Sequence, residues 1–303
     1  MPEPRQLTIG IPKGSLQEAT LALFARAGLS FYGHERSLWI GSSDTEVKPV
    51  LLRPQEIPIY VAKGVLDCGL SGLDWITETK ANDSVRILAD LCYSKRSFRP
   101  VRWVLAVSED SPWQSVSDLK EHKPPIRIST ELREITQEWA AEKGLRIVVD
   151  FSWGATEAKP PVFADAIVDV TETGASLQAN RLRILDTVFK STTQFFANKK
   201  MYMSDNTDDR WKQTKLDGIA LLLKSCLAAD AKVDVRLQVP EAELAVVKAL
   251  IPSNASFSVW NGGDGNMVVE VIIDKSKTRE LIPVFARNGA NRISVSALDM
   301  LYG

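Results

Sequence analysis

The sequence predicts an α/β protein of two lobes followed by a small βαββαβ domain. Three observations carry this expectation. Short apolar runs alternate with amphipathic stretches from Leu7 onward, the pattern of strands wound with helices. The run Ala166 to Val170 passes through Thr171-Glu172-Thr173-Gly174-Ala175 into Ser176-Leu177-Gln178-Ala179, reading as the carboxyl end of a parallel strand, a small-residue turn and a helix start. Beyond a long connecting helix the order changes to strand, helix, strand, strand, helix, strand, which predicts a ferredoxin-like unit.

Taken in order, Leu7 to Ile11 reads as a strand, Pro12-Lys13-Gly14-Ser15 as a loop, and Leu16 to Ala27 as a helix stopped by Gly28. Val50 to Leu52 and Cys68 to Ser71 read as strands, with a helix at Gln55 to Lys63 between them and a helix start at Gly72-Leu73-Asp74-Trp75. A second α/β unit begins after Arg99-Pro100. It holds the strand Val101 to Val107, a short helix at Val116 to Lys120, the strand Ile126 to Ser129, the helix Glu131 to Lys143 ended by Gly144, and the strand Leu145 to Phe151. Arg183 to Phe189 reads as a strand returning to the first unit, so two lobes joined by crossing strands are expected to leave a ligand cleft at strand carboxyl ends. Asp208 to Ala229 is the connecting helix. The last part runs strand (Val233 to Val239), helix (Pro240 to Leu250, with proline at its start), strand (Ser256 to Trp260), Gly-Gly-Asp-Gly turn, strand (Met267 to Ile273), helix (Lys277 to Arg287) and strand (Arg292 to Ser296). The expected division is 1–100 for lobe I, completed by 187–227, then 101–186 for lobe II and 228–303 for the last domain.

The totals narrow the chemistry. With 303 residues, 45% of them hydrophobic, the chain can bury a full core without disulfides. Lys+Arg 37 against Asp+Glu 38 leaves a net charge of -1, too little for a global field that collects nucleic acid or anionic membrane. Cys68, Cys92 and Cys226 are scattered and odd in number, as in reduced thiols of a cytosolic protein, and a zinc site is not expected. Only His34 and His122 exist, so a Ser/His triad or multi-histidine metal centre has almost no material. The amino terminus lacks the pattern of an export signal, and no apolar stretch is long enough to span a bilayer, so a cytoplasmic protein is expected.

The loop Thr173-Gly174-Ala175-Ser176 can aim backbone N–H groups and two hydroxyls at one anion. No lysine follows the glycine, which argues against a nucleoside-triphosphatase P-loop. Carboxylates at Asp165, Asp169 and Glu172 would repel a bare phosphate but suit ribose hydroxyls or a developing positive charge, so a phosphorylated sugar satisfies both halves. Three further loops aim at the same cleft. Lys13 supplies a cation beside the amides of Gly14 and Ser15, Arg53 stands at a strand-to-helix junction where its guanidinium can grip phosphate oxygens, and Ser71-Gly72 leads to Asp74 at a helix start.

The blocks IPKGSL, RPQEIPIYVAKG, DCGLSGLDWI, RISTEL, GATEAKPP, DAIVDVTETGASLQAN and STTQFFAN, in that order along nearly the whole chain, resemble the ATP phosphoribosyltransferase family of histidine biosynthesis. The resemblance implies a two-lobed, type II periplasmic-binding-protein-like catalytic region. It also implies substrates ATP and phosphoribosyl pyrophosphate, Mg²⁺ as cofactor, and a ferredoxin-like/ACT-like regulatory domain of the long form that binds histidine as allosteric inhibitor in homo-oligomers from dimer to hexamer. By motif, Glu172, Thr173, Gly174, Ala175 and Ser176 would hold the 5-phosphate, with Asp169 near the ribose hydroxyls and Asp165 and Thr171 completing the phosphoribosyl pyrophosphate set. Lys13, Gly14, Ser15, Arg53, Ser71, Gly72, Asp74 and Glu157 would face the nucleotide or pyrophosphate, and Lys13, Arg53 and Asp169 would be catalytic. Metal ligands are not assigned. Ser15 stands where many relatives carry arginine, and the Pro-Thr signal before the second strand of the regulatory domain is missing.

Two rivals share parts of this pattern. A prephenate dehydratase combines similar lobes with a small amino-acid-binding domain, but its Thr-Arg-Phe signature is absent. A solute-binding protein would clamp a ligand without chemistry, and the missing export signal and the acids beside the phosphate loop count against it.

Overall fold

A computed structural model describes residues 5–33, 37–93 and 100–302, so His34, Arg99 and the first four residues of the amino terminus lie outside the described residues. The chain divides into two compact units, 1–220 and 221–303, with the division inside a long helix.

The first unit begins with β1 (Leu7–Pro12), α1 (Gln17–Arg26), the short strands β2 (Phe31–Tyr32) and β3 (Gly41–Ser42), β4 (Val47–Leu52), α2 (Ile57–Ala62), β5 (Cys68–Gly72), α3 (Leu73–Glu78) and β6 (Val85–Leu91). Almost every residue of β1 is buried, because it is a central strand between β4 and β5, both parallel to it. Thr20, Leu23 and Phe24 form the buried stripe of α1, spaced three and four apart as a helix on a sheet requires.

A second sheet follows, from β7 (Val101–Ser108), α4 (Val116–Lys120), β8 (Ile126–Thr130), α5 (Arg133–Lys143), β9 (Ile147–Phe151), β10 (Ala166–Thr171), α6 (Ala175–Ala179) and β11 (Leu182–Ser191). α5 buries Ile135, Thr136, Trp139 and Ala140 and stops at Gly144, whose φ of 69° is the left-handed cap a Cβ would disfavour. Both faces of this sheet are packed: Trp103, Leu105, Ile128 and Trp139 on one, Val104, Ala106, Ile167 and Leu177 on the other.

The chain then returns through β12 (Thr193–Asn198), α7 (Lys199–Tyr202) and α8 (Thr207–Asp230). Sheet order is β4-β1-β5-β12-β6 in the first lobe and β11-β7-β10-β8-β9 in the second. One expectation changes here. The strand read at Arg183 to Phe189 is part of β11, which pairs antiparallel with β7 in the second sheet, and β12 is the segment that re-enters the first. The parallel strand expected at Ala166 to Val170 is β10, parallel to β8 on one side and antiparallel to β7 on the other. Lys212 and Lys215 of α8 reach Asp67 and Asp44 at 2.7 Å each, fixing the first half of that helix to the first lobe.

The second unit holds β13 (Lys232–Pro240), α9 (Leu244–Leu250), β14 (Ser256–Gly263), β15 (Asn266–Asp274), α10 (Thr278–Arg287) and β16 (Asn291–Ala297). Its antiparallel order β14-β15-β13-β16 is that of the ferredoxin-like fold. Val233, Val235, Leu237 and Val239 alternate inward along β13 and pack with Val247 of α9 and Phe285 of α10. Pro240 ends β13 instead of opening a helix, its ring tolerated at a strand terminus, and a 3-10 turn at Glu241–Glu243 precedes α9. The glycine-rich turn is tighter than its sequence suggests, since β14 continues to Gly263.

Candidate active site

Parallel pairing assembles one side of the site. Pro12 is in register with Leu52, and Gly10 with Gly69, so the residues just past the carboxyl ends of β1, β4 and β5 meet at one edge of the first sheet. The Lys13 amide donates to the Leu52 carbonyl at 2.7 Å, tying the two cationic loops together. Lys13 and Arg53 are exposed, and among the described residues neither side chain is paired. Gly14 has φ 105°, and a Cβ there would meet nothing within 4 Å, so the turn leaves its backbone open to an incoming anion. Ser15 is exposed beside it.

The facing side lies at the carboxyl edge of the second sheet. Thr171 is buried, and its Oγ1 accepts from the Gly174 amide at 2.7 Å, which curls the chain into a loop; Gly174 then takes φ 84°. Thr173 and Ser176 are exposed on this loop, with Ala175 between them. The Ser176 hydroxyl donates to Glu157 at 3.3 Å, so the 3-10 turn Thr156–Ala158 closes over the loop. α6 is barely more than a turn long, and the dipole expected behind the loop is correspondingly small. Asp169 accepts from the Val170 amide at 2.7 Å. Burial pushes its carboxyl up to about 6, and the charges of Glu157 and Glu131 push in the same direction.

Four of the sequence candidates stand elsewhere or are already engaged. Asp165 is at the amino end of β10, where it accepts from the Arg127 amide at 2.8 Å. Strand geometry puts it about 20 Å from the turn after Thr171. Asp74 is 4% exposed; its Oδ2 accepts from Trp103 Nε1 at 2.6 Å and its Oδ1 from the Trp75 amide at 2.9 Å, so this carboxylate pins the two lobes together. Burial raises its pKa while these bonds oppose the rise. Ser71 is buried and donates to the Pro54 carbonyl at 2.7 Å. Gly72 is a packing glycine, since a Cβ there would stand 2.0 Å from Asp74 Oδ1. His122 is half-buried edge-on against Trp113, with ring centroids 5.0 Å apart. Cys68 and Cys226 are buried thiols.

Other residues enter from the structure alone. Gln55 Nε2, two positions beyond Arg53, donates across the cleft to Glu131 Oε2 at 3.4 Å. Lys159 Nζ donates to Ser152 Oγ at 2.5 Å and Ser152 Oγ meets Thr156 Oγ1 at 2.8 Å, bracing the turn that carries Glu157. Glu78 of the first lobe accepts from the amides of Arg133, Glu134 and Ile135 at 2.7, 3.0 and 3.1 Å, capping α5 of the second. The position of Glu131 just past a parallel strand was a usable signal; the partners of Gln55 and Glu78 were not, since both contacts join segments distant in sequence.

A family model described as HisG: ATP phosphoribosyltransferase matches residues 53–224, more than half of the chain and the stretch that carries Arg53, Asp169 and the glycine loop. The chain belongs to the ATP phosphoribosyltransferase family. It is 46% identical to the ATP phosphoribosyltransferase of Thermodesulfovibrio yellowstonii over 94% of both chains. To that of Chlorobium phaeobacteroides it is 47% identical over 95% of this chain and 94% of the relative. Among solved structures, an ATP phosphoribosyl transferase (HisG:HisZ) complex from Thermotoga maritima aligns with a TM-score of 0.59 and 25% identity, over 72% of this chain and 99% of that one. The curated relatives thus match it nearly end to end, as befits the long form of this transferase. The chain is an enzyme of histidine biosynthesis, a pentosyltransferase, and no helix among its described residues is long and apolar enough to cross a membrane.

Proposed function

We propose that the chain transfers the phosphoribosyl group of phosphoribosyl pyrophosphate to N1 of ATP and releases pyrophosphate. One observation supports this most: the two edges of the cleft differ in charge, with exposed Lys13 and Arg53 on one and Asp169, Glu157 and Glu131 beside a glycine loop on the other. Transfer from an activated pentose needs both. The leaving pyrophosphate gains negative charge, which cations stabilise, while the anomeric carbon gains positive charge, which carboxylates stabilise. In this reading the loop from Glu172 to Ser176 holds the 5-phosphate and Asp169 faces the ribose. Lys13, Gly14, Ser15 and Arg53 receive the pyrophosphate and nucleotide phosphates, with Glu157 ordering the loop through Ser176. Asp165, Ser71, Gly72 and Asp74 serve the fold.

Mg²⁺ belongs to this reading as the counter-ion of the substrate phosphates. Among the described residues no three histidine, cysteine, aspartate or glutamate side chains are grouped to hold a metal, so the ion would be carried by substrate oxygens more than by a protein cage. Lobe I is assigned to 1–100 with 192–227 and lobe II to 101–191, the boundary moving from the expected 186/187 because β11 runs to Ser191 in the second sheet, and histidine feedback to 228–303, in a cytoplasmic homo-oligomer between dimer and hexamer. The test is formation of phosphoribosyl-ATP, followed by absorbance, from ATP, phosphoribosyl pyrophosphate and Mg²⁺. Product is expected with all three present; its absence refutes the transfer. Histidine titrated into the same assay is expected to inhibit the full chain and to lose its effect when residues 230–303 are removed.

A further inference from the structure

Pairing of β8 with β10 ends at Thr130 opposite Val168. The residue just past the end of β8 is Glu131 and the next position on β10 is Asp169; adjacent strands lie about 4.8 Å apart, and the Glu131 charge reaches Asp169. Glu131 is therefore the lateral neighbour of Asp169 at the cleft edge, and it is the residue that Gln55 reaches from the opposite lobe. The amide orientation is dictated by chemistry, since an ionised carboxylate only accepts and must face the NH₂ group. Gln55 Oε1 is left buried with no donor among the described residues, an acceptor that a sugar hydroxyl can satisfy and a phosphate cannot.

We propose that Glu131 is a positioning residue for the transfer reaction: held by Gln55 across the cleft, its carboxylate stands beside Asp169 and deepens the negative potential where the anomeric carbon gains positive charge. This rests on the functional reading above. The charged groups around Asp169 are Glu131 at the end of β8, Glu157 on the 3-10 turn, and Arg102 on β7, which pairs with Thr171 two positions along β10. Lys13 and Arg53 are exposed at the edge of the first sheet, on the loop side from which Gln55 reaches Glu131. Glu131 and Glu157 both act to hold a proton on Asp169, so neutralising Glu131 releases that proton at lower pH.

The experiment compares wild type with Glu131→Gln, Gln55→Ala and the double variant in the phosphoribosyl-ATP assay across pH 5 to 8. Circular dichroism and thermal melting verify that each variant is folded. Glu131→Gln is expected to lose about tenfold in kcat with KM for phosphoribosyl pyrophosphate little changed, and to move the acid limb of its pH profile downward. Gln55→Ala should change both readouts in the same direction by less and add nothing to Glu131→Gln, while Glu131→Asp restores part of the loss. A folded Glu131→Gln enzyme with wild-type kcat and an unmoved acid limb overturns this inference and leaves the functional reading standing. No product from wild type overturns both.

Discussion

Asp74, buried, and Asp169, half-buried, are two aspartates with raised proton affinities in one catalytic unit, and their surroundings give them opposite roles. Asp74 has its oxygens occupied by Trp103 Nε1 and the Trp75 amide, and its own amide is bonded to Ser191 Oγ at 3.1 Å. Among the described residues Asp169 accepts only the bond from the Val170 amide; it sits beside other acids, at the end of β10 that leads into the glycine loop. Burial by itself does not mark a working acid. Unused acceptor capacity beside a ligand loop does, because an acid whose bonds are all made has nothing to offer a substrate.

The contrast breaks most directly at Asp169 and Arg53. Asp169→Asn and Arg53→Ala are each expected to lower kcat by about 100- to 1,000-fold, roughly 3 to 4 kcal/mol, while far-UV circular dichroism stays unchanged. Steady-state rates at wild-type level in either variant would remove that residue from the reaction. Asp74→Ala is expected to fail in the other way, by about 3 kcal/mol of folding stability, since buried donors at Trp103 and Trp75 lose their acceptor. Urea unfolding measures it, and the protein that remains folded should turn over near the wild-type rate.

A finer test uses the sign of the proton linkage at Asp169. Its folded-state value, about 6, lies above the ordinary aspartate value of 3.8, so the native chain binds more protons between these values and loses stability as pH rises through them. Asp169→Asn removes the cost of burying the charge. The variant should be more stable than wild type at pH 8, by on the order of 2 kcal/mol, and the difference should vanish below pH 4. A melting temperature that responds equally at both pH values would contradict the assignment. The smallest effect is expected at Glu78, whose replacement by alanine uncaps α5 and should cost about 1 kcal/mol in chemical denaturation.

Much of this molecule is legible in the order of its residues. Local pattern locates β1, β4, β5, β8 and β10 and the loops that follow them, because strand periodicity and small-residue turns are properties of neighbouring residues. The same locality explains what pattern leaves open. Which sheet receives β11, and whether β10 has parallel neighbours on both sides, depends on pairings with β7 and β8 that no local window contains.

By itself, the amino-acid sequence determined the α/β lobes, the ferredoxin-like end of the chain, the glycine loop after Thr171 and the cations at Lys13 and Arg53. Tertiary structure alone decided that Asp165 faces away from that loop, that Asp74 is a pin between lobes, and that Glu131 and Gln55 meet across the cleft. The reason is physical: residue type sets what a side chain can do, whereas burial, register and the partners brought from far along the chain set what is left free to act.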